Sequence, residues 1–382
     1  MNVKDILAKL VSFPVLGGEN NLEIIYWIQN YIEGFGITST LVPNKEGTKA
    51  SLHCRIGPAV NDGAILSGHT DVVPVKGQIW DTDPFTLVDK DDKLYARGSA
   101  DMKGYIACCL AALPTMLNAD LKKPIYFAFS YDEEIGCLGA PELIESIKIT
   151  YSENAKYAII GEPTMLEPVI GKKGICYIRT EANGSAGHSS GIHKEVSAIH
   201  ESTRLILWLE NKMKELSVAN KDDRFDPPHS TLHVGQIQGG VATNIVAEYT
   251  RFEWDVRVIP KDSIPAIYDE FLNFCRERER EVRKIFPEFT ITNTQLHPPV
   301  PALDTKESDS VVALTQKISG YNTWKTVSYA AEAGQFHEAG YQSIICGPGS
   351  IEQAHRANEF TTQDQLNRCV KMLENLVMEF TM

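Results

Sequence analysis

Two rhythms of apolar spacing alternate along the first 172 or so residues. Val3, Ile6, Leu7, Leu10 and Val11 recur at helical spacing, and a second helical pattern over 23–34 closes on a glycine. Short apolar runs at 51–56, 64–67, 125–130 and 157–160 predict buried strands. The run YIACCLAALPTML, 105–117, predicts a buried helix with a proline near its end. Strands alternating with helices predict an α/β layer structure, with helices flanking a central mixed, largely parallel sheet. Ligands in such sheets collect at the carboxyl ends of the strands.

The pattern changes near Gly174. A strand at 175–182 is followed by a helix with a charged face at 196–216. Strands at 231–238 and 247–258 come next, then a long charged helix at 264–285 and a strand at 289–296. Strand–helix–strand–strand–helix–strand is the ferredoxin-like split unit. The expected organisation is therefore an α/β domain from 1–173 and 297–382, interrupted by an inserted ferredoxin-like α+β domain at 174–296. The proline-rich HPPVPALD, 297–304, marks the exit from the insert. The α/β pattern then resumes, with strands at 323–329 and 342–346 and a last helix at 363–380. The crossings at 171–174 and 297–301 are natural hinges.

Composition narrows the partners. With 382 residues, 43% hydrophobic and 23% charged, the chain can bury two cores. A net charge of −13 argues against nucleic acid and anionic membranes, which call for clustered Lys and Arg. No apolar run reaches the length of a membrane span, and Lys9 interrupts the only candidate leader. Eight cysteines without a C-x-x-C pair, several inside apolar runs, fit a reduced cytoplasmic protein.

Polar residues capable of chemistry gather near the predicted strand ends. His69 and Asp71 stand in SGHTDVVP, after the strand at 64–67; Asp101 stands in ARGSADMKG, before the apolar helix. Glu133 and Glu134 follow the strand at 125–130, Glu162 in GEPT follows 157–160, and His355 follows the last strand through GPGSIEQAH. Each has an ordinary reading: a polar loop, a helix cap for Asp101, a solvated turn for the paired acids, a surface histidine for His355. Together they form a nitrogen and oxygen ligand set suited to zinc, cobalt or manganese. Two divalent ions need a bridging carboxylate, and two zinc ions would balance the charge of Asp101, Glu134, Glu162 and one bridging hydroxide. In H-x-D, Asp71 can accept the second ring N–H of His69. Of two adjacent acids on a loop, one can hold metal while the other moves a proton.

SGHTDVVP, ARGSADMKG, YDEEIGCLGA, GEPT, GSAGHSS and GPGSIEQAH, in that order, closely resemble the two-zinc aminoacylase/carboxypeptidase family of metallohydrolases. That family includes acetylornithine deacetylase and succinyl-diaminopimelate desuccinylase, and the likeness spans nearly the whole chain. It implies a di-zinc catalytic domain and an inserted domain that commonly makes a homodimer. It implies that His69, Asp101 and Glu162 hold one Zn2+ and that Asp101, Glu134 and His355 hold the other, with Co2+ or Mn2+ as substitutes. Glu133 would be general base and then acid, and Asp71 would orient His69. His188, in GSAGHSS, matches a histidine that crosses from the neighbouring subunit to the oxyanion; otherwise it reads as an exposed loop histidine. Asn244, in VATNIV, matches an asparagine that contacts substrate.

Within the family the local features are most similar to the acetylornithine deacetylase branch, whose substrate is an N-acylated amino acid. Glu332, in SYAAEAGQF, is placed to meet a cationic side chain such as the δ-amino group of ornithine, or else is a capping acid. Ala331 before Glu332 departs from the Thr-Glu pair of that branch. Arg257, in FEWDVRVIP, is a candidate for the substrate α-carboxylate, with a structural ion pair as the other reading. A desuccinylase, a broad aminoacylase, a dipeptidase or carboxypeptidase, and a metal-stabilised binding protein are the alternatives.

Overall fold

The computed structural model describes residues 1–382. Backbone contacts divide the chain into two units. The first comprises Met1–Gly171, Leu303–Thr326 and Ala331–Met382; the second comprises Lys172–Ala302 and Val327–Ala330. The entry crossing falls two residues earlier, and the exit six residues later, than the hydrophobic pattern predicts. The physical reason is a backbone zipper. The Ile175 and Val300 amides each donate to the other's carbonyl at 2.9 Å, so the exit segment runs beside the entry strand.

In the first unit the main sheet is ordered Ser39–Pro43, Ala50–Ile56, Ile125–Ser130, Gly63–His69, Ala155–Pro163, Gln342–Gly347, Val169–Lys172, Leu303–Asp304. Gly63–His69 runs parallel to both of its neighbours, and Gln342–Gly347 runs parallel to Ala155–Pro163. Ser39–Pro43 and Ala50–Ile56 are antiparallel additions at one edge. The strand predicted at 323–329 shrinks to Lys325–Val327.

Both faces of the parallel strands are covered. Leu66, Phe127, Phe129 and Ile159 join the core built with the helices Lys103–Asn118 and Gln363–Thr381. Ile65, Tyr126, Ala128 and Ile160 are equally buried and, by the two-residue period of a strand, point the other way. The helices Ala140–Thr150 and Ala333–Glu338 pack against this sheet. Burial on both faces explains why these strands read as continuous apolar runs. Each large side chain so buried stabilises the fold by roughly 1.5–3 kcal/mol. Two glycines permit close approach at the strand ends, Gly161 to the helix Lys103–Asn118 and Gly347 to the neighbouring strand. A Cβ at Gly161 would stand 2.0 Å from the Tyr105 ring, and one at Gly347 would stand 1.9 Å from the Gly161 carbonyl oxygen.

The second unit holds an antiparallel sheet ordered Thr231–Gly239, Tyr249–Val258, Gly174–Asn183, Thr290–Gln295. The helices Ala198–Ala219 and Ile264–Val282 pack on it and on each other. This is the strand order of the split unit. Tyr249–Val258 alternates buried and open positions, as a sheet with one covered face requires. Trp254 anchors the core: its ring meets Phe271 edge-on at 5.0 Å, and its indole N–H donates to Thr180 Oγ1 at 3.0 Å. No helix in the molecule is long and apolar enough to cross a membrane.

Candidate metal centre

Four parallel strands finish on one edge of the main sheet, and each delivers a titratable side chain there. His69 is the last residue of Gly63–His69, and Glu162 is the next-to-last of Ala155–Pro163. Both belong to their strands rather than to the loops expected to follow. Glu133 and Glu134 lie on the loop after Ile125–Ser130, and His355 lies on the loop after Gln342–Gly347. Asp101 arrives from elsewhere, two residues before the helix Lys103–Asn118.

The cluster is organised around Asp101. Its Oδ1 is 3.2 Å from His69 Nε2, and its Oδ2 is 3.5 Å from His355 Nε2. His69 Nε2 also lies 3.9 Å from Glu162 Oε1, while His355 Nε2 lies 3.0 Å from Glu134 Oε2. One carboxylate thus faces two imidazoles, each with a second acid beside it. Ligand-type atoms of His69, Asp101 and Glu134 fall within 4.8 Å of one another, as do those of His69, Glu133 and Glu162. By distance alone Glu133 stands among the potential ligands. His69 and Glu162 are buried, whereas the His355 side chain is 57% exposed and forms the open side.

Burial and like charge dominate the electrostatics. Burial first, and the neighbouring Glu134, Glu332 and Asp101 carboxylates second, push Glu133 up to about 8 against the pull of His69. Burial and then Asp101 raise Glu134 to about 7, and the same two causes raise Glu162. Burial alone would lower His69, but Asp101 and Asp71 win and hold it well above its ordinary value. Asp101 is the reverse case: burial would raise it, yet the hydrogen bonds of His355 and His69 keep it far below the carboxylate range.

The surrounding contacts refine two expectations. The nearest acceptor for His69 Nδ1 is the Asp71 backbone carbonyl at 3.0 Å; the Asp71 carboxylate lies at 3.6 Å. Within H-x-D the short backbone turn brings the carbonyl closer than the side chain. The Asp71 carboxylate instead accepts the amides of Glu133 and Glu134, each at 3.1 Å. It holds the loop that carries both acids. Glu332 is 1% exposed, at the cap position of the helix Ala333–Glu338. Ser67 Oγ donates to its Oε2 at 3.4 Å, and burial raises it to about 7.

Further contacts escaped the sequence reading. Cys137 Sγ donates to Glu133 Oε1 at 3.4 Å. Asp132 accepts the Gly18 amide at 2.8 Å and pairs with Lys49, which pins the same loop from behind. Only the local motif YDEEIGC pointed to either residue.

His188, Asn244 and Arg257 belong to the second unit. His188 is exposed, its Nδ1 2.8 Å from Ser190 Oγ, and the Ser189 amide donates to the Asn244 carbonyl, so the two loops are neighbours. Arg257 Nη1 donates to the Ser328 carbonyl at 3.2 Å, and its Nε lies 3.5 Å from Asp255.

The residues of the first unit fit divalent cations. Two imidazoles and four carboxylates without thiolate are the donors that zinc, cobalt or manganese take. Acids raised by mutual repulsion and burial are the ones that cations would relieve.

Comparison with known proteins agrees with this chemistry. The sequence profile of peptidase family M20/M25/M40 matches residues 65–379. The acetylornithine deacetylase of Myxococcus xanthus is 32% identical, over 98% of this chain and 96% of the relative. That of Proteus mirabilis is 31% identical, over 100% and 98%. A metallo-carboxypeptidase of Sulfolobus solfataricus superposes with a TM-score of 0.79 at 18% identity, covering 100% of both chains. At that identity the likeness speaks to the fold.

Proposed function

The chain belongs to peptidase family M20/M25/M40, and from that premise we propose that it removes the acetyl group of N2-acetyl-L-ornithine, releasing ornithine and acetate. Membership makes it a metal-dependent hydrolase of amide bonds. The observation that carries the chemistry is Asp101 facing His69 with one oxygen and His355 with the other. The observation that favours acetylornithine is the name shared by relatives 30–33% identical over almost the full length.

His69, Asp101 and Glu162 would hold one divalent cation, and Asp101, Glu134 and His355 a second, with zinc as the preferred ion. When bound, the cations supply Lewis acidity and compensate the buried negative charge. Glu133 accepts a proton from the attacking water through a carboxylate oxygen and returns it to the leaving amine. Asp71 keeps Glu133 and Glu134 in place through their amides. His188, supplied by the second unit of a partner subunit in a homodimer, donates to the oxyanion. Asn244 and Arg257 contact the substrate, Arg257 at its α-carboxylate. Glu332, buried beside Ser67 and close enough to act on Glu133, would meet the δ-ammonium.

A substrate panel tests the reading. Acetylornithine is expected to exceed acetylmethionine, succinyl-diaminopimelate and a dipeptide by at least about tenfold in kcat/KM, about 1.4 kcal/mol of discrimination. A higher value for any of the other three would reassign the enzyme within the family.

A further inference from the structure

A buried ion pair lies behind the cluster, contributed by residues 262 positions apart. Arg97 and Glu359 are each 1% exposed, and Arg97 Nη1 meets Glu359 Oε2 at 2.7 Å. Burying two charges is costly, and an apolar pair of similar volume would stabilise the fold as well or better. The other contacts of the pair distinguish it from a simple fold stabiliser. Glu359 Oε1 accepts the amides of Ala100 at 2.9 Å and Asp101 at 3.1 Å. Arg97 Nη2 donates to Gln78 Oε1 at 2.6 Å, and Gln78 Nε2 donates to the His355 carbonyl at 2.8 Å. Arg97 Nη1 also reaches the Arg356 carbonyl at 3.3 Å. His355 needs such support, since its φ of +62° lies in the left-handed region that side chains other than glycine seldom occupy.

We propose that Gln78, Arg97 and Glu359 act as one positioning unit that sets the separation of Asp101 and His355, and through it the affinity of the cluster for divalent cations. One end of the network holds the backbone of the shared carboxylate, and the other holds the backbone of the exposed imidazole. The ion pair joins the two ends rigidly. Partners that orient ligands in this way typically contribute 10–100-fold to metal affinity or activity. The inference rests on the metal reading of the site and is independent of which acylated amino acid is cleaved.

The test is direct titration of chelator-treated full-length protein with Zn2+ and Co2+, read by competition with a chromophoric chelator. The Co2+ absorption spectrum and thermal unfolding are recorded alongside. Glu359→Ala is expected to weaken binding at one or both sites by more than about tenfold and to alter the Co2+ spectrum. Glu359→Gln, which keeps an acceptor for the two amides, should lose less. Gln78→Ala should lose a few-fold. Glu153→Gln breaks a different ion pair, with Arg55 at 2.7 Å, and should lower thermal stability without changing metal affinity. If Glu359→Ala fails to fold, Glu359→Gln and Gln78→Ala decide. Affinities within twofold of wild type in the folded variants overturn the proposal. So does equal weakening by Glu153→Gln, because general destabilisation would then explain the effect. A wild-type protein that binds neither ion overturns the metal reading itself, and the positioning proposal with it.

Discussion

The two units treat charge in opposite ways. In the first, charged and titratable side chains converge on one edge of a sheet and are withdrawn from water: His69, Asp101 and Glu162 are each no more than 6% exposed. In the second, charge is spread along helix surfaces. On Ile264–Val282 some pairs are local, such as Arg278 with Glu281, and Arg283 just past the helix end pairs with Glu279 at 3.1 Å; others, Arg278 with Glu201 at 2.8 Å and Glu270 with Lys212 at 2.7 Å, tie it to Ala198–Ala219. Exposed pairs of that kind contribute about 0–1 kcal/mol each. The difference follows from sheet type. Parallel strands covered on both faces leave only their ends free, so polar residues gather there. An antiparallel sheet with one open face has no such edge. Buried like charges are costly to the fold, and the first unit keeps them where cations would relieve the cost.

Four measurements test this contrast. The largest expected effect is at Glu133: Glu133→Gln should lower turnover by about 10²–10⁴-fold while metal content stays at the wild-type level. Retention of more than about a tenth of the activity would remove Glu133 from the proton-transfer role. The second joins the two units. Mixing inactive Glu133→Gln and His188→Ala proteins should restore up to about a quarter of wild-type turnover, since half of randomly formed dimers then carry one complete site. No recovery after verified subunit exchange would confine His188 to its own chain or exclude it.

The third measurement probes stability in the second unit. Trp254→Ala should destabilise the protein by about 3–5 kcal/mol in urea unfolding. Metal stoichiometry should be unchanged, because Trp254 packs only within its own core. Loss of metal in that variant would show that the contrast between the units is false.

The fourth and smallest is a pH effect. Burial and neighbouring acids raise Glu133 to about 8 and Glu134 to about 7, while Asp101 and then Glu134 raise His355 to about 10. All three groups therefore bind protons more tightly in the folded than in the unfolded chain. Their stabilisation is present at low pH and is lost as pH rises through those values. The melting temperature of metal-free protein should fall between about pH 5 and pH 9, and the fall should shrink when metal has displaced the protons. A metal-free melting temperature that rises across this window would contradict the assignment.

Much of this was legible from local signals. The strand pattern of Ile125–Ser130, the split-unit order of the second unit and the residues His69, Asp101, Glu134 and Glu162 all carry their evidence within a few positions of chain. The helices Ala140–Thr150 and Ser310–Ser319 went unread: their buried positions keep helical spacing, but each stripe is only four residues long. Periodicity depends on neighbours in sequence, so whatever is decided by local spacing could be read from the chain alone. Only the tertiary structure decided that Arg97 meets Glu359, that the Asp71 carboxylate holds two amides, and that Glu332 is buried. Those outcomes depend on which distant segments share a volume and on which polar groups lose their water. Contact between residues hundreds of positions apart leaves no periodic trace in either partner.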